Sequence, residues 1–165
     1  QRSIAVGTKA RLVAHCVSSQ PRDVEESLTA GLLHDIGKLL MMTRFQKEMA
    51  EALDVSGREG ISLAEAEQKI VGTSDAHMGA YLLSVWGIAD PIVEAVGLHC
   101  APHQSSAAGF TPLTAVHIAW AIDADERNHR RDESKTSLDL AYLKLLGLDG
   151  QIPALRALCS GAVAV

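Results

Sequence analysis

An adjacent histidine and aspartate, His34 and Asp35, stand inside the apolar run Leu32-Leu33-His34-Asp35-Ile36-Gly37-Lys38-Leu39-Leu40. An imidazole and a carboxylate cost free energy to bury unless a metal ion, a proton or hydrogen bonds compensate them. That cost makes the pair a site candidate. Gly31 and Gly37 bracket it, and each weakens a helix by roughly 1 kcal/mol relative to alanine. Close approach of a neighbouring helix or a ligand explains them, with a local kink as the plainer alternative.

The elements that must position this pair read as helices throughout. Ile4, Ala5, Leu12, Val13 and Cys16 mark a first helix over Ser3 to Val17, with Lys9 and Arg11 outward. Pro21-Arg22-Asp23 opens a second, whose stripe of Leu28, Leu32, Leu33, Ile36, Leu39 and Leu40 faces the core through to residue 40. A third spans Arg44 to Asp54, with Phe45, Met49 and Leu53 inward and Lys47, Glu48 and Glu51 outward, and residues 55–60 form a turn. Ser62 with Glu65 is a capping box starting a short helix to about Val71. Ser74 or Asp75 caps the next, which Trp86-Gly87 ends. Asp90-Pro91 starts a helix to Cys100 with Ile92, Val96 and His99 on one side.

Further on, 101–109 is a loop, and Thr111-Pro112 restarts a helix through Ile122 with Leu113, Val116 and Trp120 on its apolar face. The charged run Asp123 to Thr136 reads as a solvated helix extension or loop and not as a binding motif. Ser137 caps a helix over Leu138 to Leu146, and a last helix runs from Pro153 to Ala162. The fold class is all-α, with no internal repeat and no convincing strand.

Composition agrees. Of 165 residues, 47% are hydrophobic but only 4% aromatic, so the core must be Leu, Ala, Val, Ile and Met, which suits close helix packing. A formal charge of −5 argues against a general grip on nucleic acid. Three well-separated cysteines, Cys16, Cys100 and Cys159, argue against a disulfide framework and for a reducing, cytoplasmic setting. No apolar run approaches the ~20 residues of a membrane span.

The stretch GLLHDIGK at Gly31–Lys38 resembles the motif of the HD superfamily of metal-dependent phosphohydrolases. The segment from Glu67 to Ile88, with DAHMGAYLL at its centre, resembles the second block of the HDOD branch, the HD-related output domain. Pro91-Ile92-Val93-Glu94-Ala95-Val96 followed by His99 and Pro102 is similar to that branch's third block, and Ser3-Ile4-Ala5-Val6 to the helix before the motif. The likeness runs over residues 2 to about 122. It implies an HD-domain-like helical bundle, one HD-like domain over residues 1–165, and the C-terminal part of a longer protein.

In catalytic HD enzymes a first-helix His, the His-Asp pair, further His residues and a late Asp hold one or two metals that activate water against a phosphoester. Carried over, the resemblance implies a degenerate site for a divalent ion (Mn, Fe, Mg or Zn) from His34, Asp35, Asp75 and His99. Arg2 falls at the first-helix position and Trp120 at the late Asp position. Cys100 replaces a histidine, either as a zinc thiolate or as a buried inert thiol. Lys38 either attracts a phosphate or nucleotide or snorkels at the edge of the core. His15, His77, His103, His117 and His129 each read as ordinary helix-end, packed or solvated residues.

Two functions follow from the resemblance. One is a bacterial signalling or regulatory module with little or no hydrolase activity, acting with other signalling domains of the same protein, partner proteins or a small ligand such as a nucleotide. The other is a metal-dependent phosphohydrolase or phosphodiesterase acting on nucleotides or a cyclic dinucleotide. Substituted ligand positions favour the first.

Overall fold

A computed structural model describes residues 2–128 and 136–161 of the chain. Its helices are α1 (Arg2–Val17), α2 (Pro21–Leu33), α3 (Ile36–Arg44), α4 (Gln46–Glu59), α5 (Leu63–Ile70), α6 (Asp75–Val85), α7 (Asp90–Leu98), α8 (Pro112–Arg127), α9 (Leu140–Leu145) and α10 (Ile152–Gly161). Short 3₁₀ turns cover Pro102–Gln104 and Asp149–Gln151. The described residues contain no strand, and no helix among them is long and apolar enough to cross a membrane. The all-α expectation holds. Residues 129–135 of the charged run, His129 among them, and Ala162 lie outside the described residues.

At the centre lies α8, whose residues from Pro112 to Asp125 are buried except for Trp120. A helix this apolar all round must be enclosed, and α1, α2 and α7 surround it. Val6, Ala10, Val13 and Ala14 of α1, Ala30 of α2 and Ile92 and Ala95 of α7 join it in the main core. A smaller cluster of Ala52, Val55 and Ala66 joins α4 to α5.

The α1–α2 contact depends on small residues. A Cβ on Gly31 would lie 2.7 Å from the Gly7 Cα, so the two backbones nearly touch. This close crossing turns Ser27, Ala30 and Gly31 inward, while Leu32 (41% exposed) and Leu39 (64%) face outward. Of the expected stripe, Leu32 and Leu39 are therefore turned off the core, while Leu28, Leu33, Ile36 and Leu40 stay half-buried and Leu33 packs against the main core. On α1 the same rotation exposes Ile4 and Cys16 and buries Lys9, which was expected outward.

Four further boundaries differ. The second helix is not continuous to residue 40 but breaks at His34-Asp35, for a reason given below. The third reaches Glu59 because Val55 is held by Ala52 and Ala66, and Gly60, at φ +68°, ends it instead; Leu53 is exposed. Residues 123–127, expected to be solvated, continue α8 with Asp123 and Asp125 buried. Asp125 accepts hydrogen bonds from Thr136 Oγ1 (2.6 Å), Ser137 N (2.8 Å) and Arg156 Nη2 (2.9 Å). Asp139 rather than Ser137 caps α9, accepting from Tyr142 N at 3.0 Å. The Ser62–Glu65 capping box is present as expected, Ser62 N donating to Glu65 Oε2 at 2.8 Å and Glu65 N to Ser62 Oγ at 3.2 Å.

Candidate functional site

His34 and His99 occupy equivalent places, each as the C-cap of a helix, α2 and α7. His34 Nδ1 donates to Gly31 O at 2.7 Å, and His99 Nδ1 donates to Val96 O at 2.9 Å. A carbonyl can only accept, so the proton of each neutral ring is on Nδ1 and Nε2 carries a lone pair. The ring also takes the carbonyl that the next turn of helix would use for the i+4 N–H. That substitution ends α2 at the His-Asp pair, and α3 restarts beyond Asp35 with Leu39 N donating to Asp35 O at 3.2 Å.

Both imidazoles are buried, and their rings meet edge to face with centroids 5.4 Å apart. Burial lowers the His34 pKa against the opposing pull of Asp35. Burial, reinforced by His34, pushes His99 down to about 3. Both are neutral at pH 7. His34 Nε2 has no hydrogen-bond partner and lies 3.3 Å from Asp35 Oδ2. A lone pair facing a carboxylate is repulsive unless a cation stands near both.

That cation is Arg2. Its Nη1 donates to Asp35 Oδ1 at 3.3 Å and lies 3.3 Å from Oδ2, while its Nε sits 3.7 Å from Asp123 Oδ2. Asp123 also pairs with Lys9 Nζ at 3.5 Å and Arg127 Nε at 2.9 Å. Lys9 reaches Glu126 Oε2 at 2.6 Å.

Beside this cluster opens a cleft of about 460 Å³ between the α2–α3 turn, α5, α6 and the end of α7. Arg2, Asp35, Lys38, Asp75, His99 and Trp120 line it. The approach of α3 to α6 that closes its floor requires Gly37, where a Cβ would lie 1.9 Å from Asp75 O and 2.5 Å from Gly79 N. This glycine thus marks a close helix contact and not a kink. Ser74 caps α6, its Oγ accepting from His77 N at 3.3 Å.

Beneath the start of α6, fully buried Glu67 accepts from Asp75 N at 2.8 Å through Oε2, while its Oε1 has no partner. Burial raises it to about 7. Asp75 is also raised by burial, with Lys38 pulling the other way. Lys38 itself makes no hydrogen bond or ion pair among the described residues.

The structure therefore brings Asp35, Asp75, His99 and Lys38 around one cleft, with His34 buried behind it against His99 and Asp35. It does not converge them: among the described residues, no group of three or more His, Cys, Asp or Glu side chains is placed to hold a metal ion. The implied metal does not fit the arrangement, because Arg2 already supplies positive charge to Asp35 and Asp123. Cys100 lines the cleft and is exposed as a residue, although its thiol is desolvated there. Its thiol is pushed up to about 12, by desolvation first and then Asp75, so it is not a thiolate at pH 7.

His117 is packed as expected, with Nδ1 donating to His99 O at 2.8 Å and Nε2 accepting from Asp139 N at 2.9 Å. His77 and His103 are exposed; His77 nevertheless lines the cleft, and His103 Nδ1 meets Asp139 Oδ2 at 2.8 Å. The reading of the residues missed Lys9, Asp123 and Glu67. Asp123 sits one turn after Trp120 on the same helix, the one available sign that it could face the site.

A family model for the HDOD domain matches residues 1–102. The chain belongs to the HDOD family. The match contains His34, Asp35, Lys38, Asp75 and His99 but stops short of α8, so Trp120 and Asp123 lie beyond it. Two crystal structures share this HDOD fold. One is an HDOD domain protein with unknown function from Geobacter sulfurreducens, at TM-score 0.66 and 21% identity over 99% of this chain and 62% of that one. The other, from Shewanella amazonensis SB2B, is described as a "Putative phosphohydrolase", at TM-score 0.68 and 18% identity over 98% of this chain and 56% of that one. The chain thus spans about three fifths of their length. No curated protein matches it.

Proposed function

We propose that this HDOD chain is a non-catalytic regulatory module of bacterial signal transduction. It would work in the cytoplasm with other signalling domains or partner proteins, or by receiving a small ligand such as a nucleotide in the cleft beside Asp35 and Lys38. The observation that carries this reading is the guanidinium of Arg2 between Asp35 and Asp123. Hydrolysis in the wider HD superfamily depends on metal-bound water, and a fixed organic cation can balance charge but cannot lower the pKa of water in that way. A neutral Cys100 and the non-converging donors point the same way.

One observation favours the second reading, a metal-dependent phosphohydrolase. The His34 Nε2 lone pair is buried and unpartnered, as an imidazole ready for a metal would be. The description of the Shewanella neighbour is in keeping with it. The test is hydrolysis of bis-(p-nitrophenyl) phosphate and cyclic dinucleotides by the purified chain with added Mn²⁺ or Fe²⁺. Background rates support the regulatory reading; turnover abolished by Asp35→Ala would replace it with the enzyme.

A further inference from the structure

The cleft has two unlike walls. One belongs to the main body and presents Asp35 of the α2–α3 turn, His99 at the end of α7 and Trp120 of α8. The other is α5 with its N-cap, which contributes Ser62, Leu63, Ala64, Glu65 and Gln68. This second wall is half of a helical hairpin, α4–α5, that has a small core of its own. Ala52, Val55 and Ala66 are buried there with Ile61, Leu63 and Ile70 against them, and the cluster is separate from the main one. Among the described residues α4 and α5 pack chiefly on each other, while α3 and α6 meet the pair only lightly. A unit that buries its apolar side chains within itself loses little hydrophobic contact when it moves as a body.

Both joints of the hairpin suit such a movement. Phe45 alone separates α3 from α4, at φ −123° and ψ 45°, outside helix geometry. Between α5 and α6 stands Gly72, at φ +86°, with nothing within 4 Å of where a Cβ would lie. Hinges are a few element-terminal residues of this kind, which absorb the backbone rotation. Among the described residues one side-chain hydrogen bond ties the hairpin to α6. It is the bond from Asp75 N to Glu67 Oε2 at 2.8 Å, made by a fully buried carboxylate whose Oε1 has no partner.

We propose that the α4–α5 hairpin is a lid over the cleft, swinging as one body about Phe45 and Gly72, with the Glu67–Asp75 hydrogen bond as its latch. Opening breaks that bond and returns both partners to water, which an N–H in the first turn of a helix accepts readily because it has no partner within the helix. Opening also uncovers the desolvated thiol of Cys100, which lines the same cleft and lies near enough to Glu67 and Asp75 to feel both charges. A ligand that touches both walls favours the closed lid, and the closed lid retains the ligand by the same factor. The lid governs access to the cleft whatever happens to its contents, so it can fail while the regulatory reading stands, and the reverse.

The test breaks the latch from each side in the full chain, with a matched control that keeps the bond. Glu67→Ala removes the acceptor, and Glu67→Gln keeps one while also losing the charge. Asp75→Pro removes the donor at the first position of α6, where proline fits a helix, and Asp75→Asn keeps it. Alkylation of Cys100 by N-ethylmaleimide is read by peptide mass, so that Cys16 and Cys159 report separately. Hydrogen exchange follows the α4 and α5 amides, and circular dichroism follows folding. Glu67→Ala and Asp75→Pro should each alkylate Cys100 about five-fold or more faster than their controls, the factor of one ordinary hydrogen bond. The α4 and α5 amides should stay protected meanwhile, because a swinging hairpin keeps its helices. Equal rates within either pair of folded variants overturn the proposal. So do α4 and α5 amides that exchange in step with alkylation, since the hairpin would then unfold instead of swinging. Should Glu67→Ala not fold, the Asp75 pair decides alone. Failure of both latch-breaking variants to fold also overturns it, because the contact would then hold the fold together.

Discussion

Replacing Gly37 by alanine probes the contact that forms the floor of the cleft. The added Cβ would fall 1.9 Å from Asp75 O and 2.5 Å from Gly79 N, both backbone atoms of α6 that cannot swing away as a side chain can. Overpacking of this kind costs about 3 kcal/mol. Alanine returns up to about 1 kcal/mol of helix propensity, leaving a net loss of about 2 kcal/mol. For a chain of this size that lowers Tm by roughly 4–8 °C. Gly57 supplies the control, because it lies within α4 and has nothing within 4 Å of its would-be Cβ. Gly57→Ala should therefore raise Tm by about 2 °C through propensity alone. Thermal melts followed by circular dichroism at 222 nm read both. If Gly37→Ala matched Gly57→Ala in sign, α3 would not lie against the first turn of α6, and the placement of Asp75 opposite Asp35 would be wrong.

Other consequences can be read in the same assay. Lys9→Met removes the buried partner of Asp123 and Glu126 and should destabilise by about 3 kcal/mol, the low end for a broken buried pair because the Glu126 side chain is 37% exposed. Ser62→Ala removes half of the capping box and should cost about 1 kcal/mol in chemical denaturation. His99, lowered to about 3 by burial, contributes stability that is present above its unfolded value near 6.5 and is lost as pH falls toward 3. Glu67, raised to about 7, has the opposite sign: its contribution is present below its unfolded value of 4.5 and is lost as pH rises through 7. Denaturation midpoints across pH 4–9 should thus fall at both ends, with a shallower acid limb in His99→Gln and a shallower alkaline limb in Glu67→Gln.

Local signals in the sequence carried through where they rest on chemistry between near neighbours. The Ser62–Glu65 box, the Ser74 cap and the left-handed Gly87 all stand where residue type and spacing place them. Burial was harder to read, because a leucine stripe looks like a core face whatever lies opposite. Here the opposite face is Gly7 against Gly31, and so close a crossing selects Ser27 and Ala30 for the interior while Leu32 turns out. The break at His34 was hidden for a related reason. It arises from a side-chain bond to the Gly31 carbonyl, and nothing in an apolar run announces that an imidazole will take it.

The candidate site was legible as residues but not as an electrostatic system. Asp35, Lys38, Asp75 and His99 do share a cleft, and His34 packs behind it against His99. What decides its character is charge brought from far along the chain: Arg2 and Lys9 from the first helix, Asp123 and Glu126 from the eighth. A lysine in a helix pattern and acids in a charged run each look solvated when taken alone. Only their pairing across more than a hundred residues allows Lys9 and Asp123 to be buried.

The central claim, that the Arg2 guanidinium takes the place of a catalytic metal, is tested most directly by metal content and turnover on the same preparation. The chain, purified without chelator from cells grown with added Mn²⁺ and Fe²⁺, is assayed by elemental mass spectrometry and for phosphodiester hydrolysis. The account expects far less than one metal per chain and no hydrolysis above background. One tightly held metal per chain, with turnover that disappears together with the metal in Asp35→Ala, would contradict it.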